Sequence, residues 1–264
     1  MKSIGMEDIA SVELTGIQGM WNVRNTFFDE HDSFLVQSYM NETRILGFGI
    51  SNDDEDGDGG AEMEEVVFPG LDAYSSTLYL SNVYPSDGIV QITPKEIRLL
   101  SAENYTVMDV WVPDVDGGLI TVANGNEAGQ IVLSLRGGIV VYLQVDGDTN
   151  KICECARRIM EKEVSCISLH PLDLPNLTCE SSSSMEWEAT TSVPSSMLVA
   201  IGLWEHFSVR LLSLTNPNLL EEKLSIDLGG DTQARSIVLC TLGQSSATNS
   251  LMEKQKNHML LVGR

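Results

Sequence analysis

Along the chain, short runs rich in Val, Ile and Leu recur, each closed by Gly, Pro, Asn or Asp, and none sustains a helical period of 3.6. The pattern predicts a nearly all-β chain. Strands are expected over residues 20–24, 33–38, 43–48, 78–83, 88–92, 96–100, 107–111, 119–124, 130–135 and 138–145, and then over 151–157, 164–170, 197–203, 208–213, 224–228, 236–242 and 258–262.

Taken in fours, these strands repeat. The first strand of each group begins near Met20, Leu78, Leu119, Val164 and Ser236, giving steps of 58, 41, 45 and 72 residues. Two steps match the length of a four-stranded propeller blade, about 40 to 45 residues. The two long ones each hold an insertion. Residues 51–65 are dominated by Asp, Gly and Glu, and residues 172–196 carry the run Ser181-Ser182-Ser183-Ser184 and two prolines. Such compositions bury too little apolar surface to fold, so both are expected to be solvated loops. Within each group the third strand is clearest, at 96–100, 138–143 and 208–213. The prediction is a partial β-propeller of about four complete four-stranded blades plus part of a fifth, WD-repeat-like in architecture. A β-sandwich gives short strands at similar spacing, and the pattern alone leaves it open.

Composition narrows the function. With 16 basic and 38 acidic residues the net charge is −22, which repels phosphate polymers and anionic lipid. The one adjacent basic pair, Arg157-Arg158, makes no nucleic-acid groove. No apolar run has the length of a signal peptide or spanning helix, so a soluble protein is expected, and the three N-x-S/T sequons read as chance matches. Five cysteines, at 153, 155, 166, 179 and 240, form no CxxC and no even disulfide frame, which suits the reducing nucleus or cytoplasm.

No motif announces catalysis. There is no G-x-S-x-G, Walker loop, G-x-G-x-x-G or H-E-x-x-H, and no cofactor is expected. Asp54, Asp56, Asp58, Gly59 and Glu65 fit the calcium-loop formula D-x-[DN]-x-[DN]-G-x5-E. An EF-hand loop joins two helices, whereas here a strand precedes it and Pro69-Gly70 follows, so a solvated acidic loop is the better reading. His31, His170, His206 and His258 show no zinc spacing, and Cys153-x-Cys155 points two thiols to one face of a strand without further ligands, which reads as structural. Trp204 ends an apolar run and opens the turn Glu205-His206, where it can either anchor a partner or fill the core. Trp187, inside the Ser-rich insertion, is a second candidate anchor.

Several segments in order carry a resemblance: Ser11-Val12-Glu13-Leu14-Thr15-Gly16-Ile17-Gln18-Gly19-Met20-Trp21, Glu42-Thr43-Arg44-Ile45-Leu46, Glu163-Val164-Ser165-Cys166-Ile167-Ser168-Leu169, Ala200-Ile201-Gly202-Leu203-Trp204, and Leu228-Gly229-Gly230 before Arg235-Ser236-Ile237-Val238-Leu239. Together they resemble the family of the damaged-DNA-binding large subunit, the triple-propeller adaptor of cullin-four ubiquitin ligases. The splicing-factor and cleavage/polyadenylation-factor large subunits are paralogues, and residues 200–204 with 228–230 favour the ligase adaptor over them. The resemblance implies a fragment: residues 1–16 as the end of the preceding propeller or a linker, and 17–264 as part of the second propeller, too short to close a ring. It also implies a non-catalytic adaptor that links a cullin scaffold to WD-repeat substrate receptors in ubiquitination and DNA repair, touching nucleic acid only indirectly. An RNA-processing scaffold is the alternative. Segments matching Glu163-Val164 and Gly202-Leu203-Trp204 lie at blade ends, which makes Glu163 and Trp204 the expected partner contacts. The stretch Asp231-Thr232-Gln233-Ala234 departs from the family pattern of an apolar pair and proline.

Overall fold

The structure is a computed structural model and describes residues 14–49, 62–114, 118–169, 193–205, 207–230, 232–242 and 257–263. Four antiparallel meanders of four strands follow one another. Blade 1 holds β1 (Gly19–Val23), β2 (Phe34–Ser38), β3 (Thr43–Gly49) and β4 (Glu62–Val66). Blade 2 holds β5 (Tyr79–Val83), β6 (Gly88–Ile92), β7 (Ile97–Ser101) and β8 (Val107–Trp111). Blade 3 holds β9 (Ile120–Gly125), β10 (Gln130–Leu135), β11 (Ile139–Asp146) and β12 (Lys151–Ile159). Blade 4 holds β13 (Val164–Ser168), β14 (Leu198–Leu203), β15 (Ser208–Ser213) and β16 (Glu222–Asp227), and a half-blade pairs β17 (Ser236–Leu242) with β18 (Asn257–Gly263). The first strands neighbour one another in order, β1 beside β5, β5 beside β9, β9 beside β13 and β13 beside β17, as the inner strands of a propeller do.

The core lies between blades rather than within any one of them. On β10, Ile131, Leu133 and Leu135 face blade 2, where they meet Val90, Ile92, Ile97 and Leu99. Val132 on the other face joins Val199, Ile201 and Leu203 of blade 4. A strand covered on both faces reads as a continuous apolar run instead of an alternation, and β6 and β10 are buried throughout. Blades 1 and 2 meet through Val23, Val36, Ile45, Leu80, Ile89 and Leu100. Blade 4 and the half-blade meet through Cys166, Val209, Ala234, Ile237 and Leu239. On the half-blade's other face Val238 and Leu261, directly paired across the strands, are 50% and 51% exposed.

Adjacent blades share no β-ladder, so polar groups bridge the gaps. Asn82 of β5 accepts from the Arg24 backbone N–H at 2.9 Å and donates to its carbonyl at 3.0 Å. Asn124 of β9 accepts from Leu169 N–H at 3.3 Å, and Ser168 of β13 from Leu239 N–H at 3.0 Å. On the outside, Asp109 of β8 accepts from the Ile152 N–H at 2.8 Å.

One expectation needs correction. The first insertion is shorter than residues 51–65 suggest, because Glu62–Val66 is the outer strand β4, paired with β3. An outer strand needs only its neighbour's backbone, so Glu64 and Glu65 stay solvated while the ladder forms. Glu65, the twelfth position of the calcium formula, therefore stands on a strand opposite Leu46; Asp54, Asp56, Asp58 and Gly59 lie outside the described residues. Cys153 and Cys155 stand exposed on β12.

The meander order sets two ends. Links from each outer strand to the next inner strand, together with the turns β2–β3, β6–β7, β10–β11 and β14–β15, form an upper end. All other turns form the lower end. The chain leaves and rejoins the fold around both insertions at the lower end, after β3 and after β13. Among the described residues, no helix is long and apolar enough to cross a membrane.

Candidate partner interface

At the upper end of blades 3 and 4, two turns and a link converge. Glu163 ends the link from β12 to β13, and Trp204 opens the turn between β14 and β15. The pairing of β13 with β14 brings them together: the Trp204 N–H donates to the Glu163 carbonyl at 2.8 Å. The Glu163 carboxylate reaches the other way and accepts from the Gly137 N–H in the β10–β11 turn at 2.6 Å. That turn needs glycine, with φ of 93° at Gly137 and 72° at Gly138, and a Cβ on Gly138 would stand 2.6 Å from the Lys162 carbonyl oxygen. Glu163 thus fastens blade 3 to blade 4 while its carbonyl fixes where the indole emerges.

The indole is 36% exposed and divides two shallow clefts. One, of about 380 Å³, is lined by Lys162, Glu163, Trp204, Glu205 and Gln233. The other, of about 440 Å³, is lined by Thr121, Val122, Arg136, Glu163, Val164, Ser165 and Trp204. Around them Lys162 pairs with Glu205 at 3.1 Å, and the Ser165 hydroxyl donates to the Ala234 carbonyl at 2.6 Å. Glu205 and Phe207 hold left-handed conformations, φ 59° and 47°, which turn the chain sharply after Trp204. An aromatic plate between two clefts, bordered by charges of both signs, suits a protein surface that inserts apolar side chains and satisfies the rim with polar ones.

The two residues expected to contact a partner therefore stand together. Lys162, Arg136, Thr121 and Gln233, which share their clefts, were not singled out from sequence; the available signal was the position of Lys162, Arg136 and Gln233 in turns and links, and of Thr121 at the start of β9, at the same end as Trp204. Trp187 lies outside the described residues, as do His170 and His206. Among the described residues no three His, Cys, Asp or Glu side chains gather as a metal site.

The family model for the RSE1/DDB1/CPSF1 second β-propeller matches residues 6–264. The chain belongs to this family. Its relatives include DNA damage-binding protein 1 of Oryza sativa subsp. japonica, 33% identical over 90% of the chain, and DNA damage-binding protein 1a of Arabidopsis thaliana, also 33% identical over 90%. DNA damage-binding protein 1 of Solanum lycopersicum is 31% identical over the same share. The chain spans 19% of the length of each of these relatives. Among solved structures, the β-propeller domain of Cps50 (Swd1) from Myceliophteria thermophila superposes with a TM-score of 0.53 at 10% identity, over 79% of this chain and 62% of that one. That likeness shows the propeller fold and settles the choice against a sandwich. In this chain Glu163 and Trp204 thus stand at the upper end, and the strands that flank both insertions leave them from the lower end.

Proposed function

We propose that this second-propeller segment is a non-catalytic scaffold that docks a cullin through the Glu163–Trp204 surface, so linking a cullin-four ubiquitin ligase to WD-repeat substrate receptors. The observation that carries the reading is the Trp204 N–H to Glu163 carbonyl bond, which sets an exposed indole between two clefts at the upper end. The relatives' name supports it, since all three are DNA damage-binding proteins rather than splicing or polyadenylation factors. The placement of the insertions supports it too: their strand anchors are at the lower end, so long acidic and Ser-rich segments do not start from the docking side. The relatives' name refers to damaged DNA, whereas a chain of net charge −22 is suited to reach DNA through a partner rather than directly. A nuclear and cytoplasmic location follows from that role.

The test is a pull-down with the amino-terminal part of a cullin-four scaffold. Trp204→Asp is expected to weaken capture at least roughly tenfold, the scale of losing an interface anchor worth about 2 kcal/mol, while the β circular-dichroism spectrum stays that of the parent. Undiminished capture by a folded Trp204→Asp protein removes the indole from the interface.

A further inference from the structure

The outer strand of blade 3 carries chemistry that the docking surface does not use. Cys153 and Cys155 are both exposed and free. Cys153 stands directly opposite Gln144 on β11, so the two side chains share the face of the sheet that looks toward blade 4. Just beyond, the register shifts between Tyr142 and Leu143: Tyr142 pairs with Ala156 and Leu143 with Glu154, which leaves Cys155 as the extra residue of a bulge. Alternation across Glu154 keeps Cys155 on the same side as Cys153. Its thiol reaches back along the strand to within 3.7 Å of the Cys153 carbonyl oxygen. Cys155 also lines an open cleft of about 390 Å³ between blades 3 and 4, together with Tyr142, Gln144 and Met197.

We propose that Cys153 and Cys155 form a two-thiolate site for a soft cation, cuprous copper, with the Met197 thioether as a third donor across the cleft. Softness decides the ligand. Thiolates and thioethers select Cu(I) over the hard cations that carboxylates hold, and the cleft offers sulfur with neutral amide and hydroxyl groups but no carboxylate for Mg²⁺ or Ca²⁺. Glu154 points to the opposite face, where it is engaged by Arg157 through paired bonds of 2.9 Å. Burial, helped by the neighbouring Cys153 and Glu154, pushes the Cys155 thiol up from its ordinary value. On binding, two S–H bonds break and two S–Cu bonds form, both protons pass to solvent, and copper stays cuprous.

The experiment titrates the oxygen-free protein with Cu(I), supplied as its acetonitrile complex, against the competing chelator bicinchoninate. One ion per chain is expected to be held against the chelator, with an ultraviolet sulfur-to-copper band. Cys153→Ser and Cys155→Ser, each with the parent circular-dichroism spectrum, are expected to weaken binding at least roughly tenfold, and Met197→Leu by a similar factor. Cys179→Ser and Cys240→Ser should bind as the parent does. Parent affinity in the Cys153→Ser/Cys155→Ser double variant, or loss confined to Cys179→Ser or Cys240→Ser, overturns the site; parent affinity in Met197→Leu removes the third donor. The readout is independent of cullin capture, so it stands or fails apart from the docking proposal.

Discussion

Asn82 offers a direct way to measure what holds one blade to the next. Its amide is 4% exposed and closes a two-bond clasp on the Arg24 backbone, accepting the N–H at 2.9 Å and donating to the carbonyl at 3.0 Å. Asn82→Ala removes both bonds and leaves two half-buried backbone groups without these partners at the junction of blades 1 and 2. Each net bond is worth about 1 kcal/mol, and each unsatisfied group adds to the loss, so a total of about 2–4 kcal/mol is expected. For a chain of this size that lowers the midpoint of thermal unfolding by about 5–15 °C. Urea unfolding followed by β circular dichroism gives the free energy directly. Asn82→Asp keeps the acceptor for Arg24 N–H and loses the donor, so about half the effect should remain. Asn22→Ala, at an exposed position of the same junction, should cost under about 0.5 kcal/mol. If Asn82→Ala is as mild as Asn22→Ala, apolar packing alone carries the junction and the clasp argument is wrong.

Two further outcomes follow from the same geometry. Packing between blades 2 and 3, with the Glu127 charge nearby, pushes the Tyr79 phenol up to about 12. The unfolded chain, ionising near 10, then loses its proton first. This stabilisation is complete below pH 10 and is lost as pH rises to about 12, roughly 3 kcal/mol in all and absent in Tyr79→Phe, as urea midpoints across that range would show. Gly138→Val places a branched side chain at φ 72° with the Lys162 carbonyl oxygen in its way, so it should cost about 2 kcal/mol or more and disturb the Glu163 clasp; a midpoint within about 2 °C of the parent would contradict the steric argument.

Which parts of the fold could be read from sequence follows from burial. β6, β8, β10, β15 and β17 run over the residues the apolar pattern marks, Gly88–Ile92, Val107–Trp111, Gln130–Leu135, Ser208–Ser213 and Ser236–Leu242. Most are inner or middle strands whose side chains fill the spaces between blades. The outer strands β4, β12 and β16 face solvent along much of their length and lack that signature. β4 is hidden in acidic residues, β16 begins at Glu222 rather than at Leu224, and β12 runs on through Arg157 and Arg158 to Ile159. The arginines hold an exposed strand because Glu154 and Asp114 engage Arg157, while the Leu220 carbonyl and Glu222 engage Arg158. Trp204 was legible as a strand end meeting a turn. Its bond to Glu163 was not, because it depends on the register of β13 against β14 across an intervening insertion. The Cys155 bulge was equally hidden, since sequence shows an i,i+2 spacing but not where a ladder slips.

The docking claim is tested most directly by hydrogen exchange of the chain with and without the amino-terminal part of a cullin-four scaffold. Slowed exchange is expected in the link containing Lys162 and Glu163 and in the turn after Trp204, with the lower-end turns at Asp87 and Glu127 unchanged. Protection at the lower end with an unaltered Trp204 turn would contradict the account.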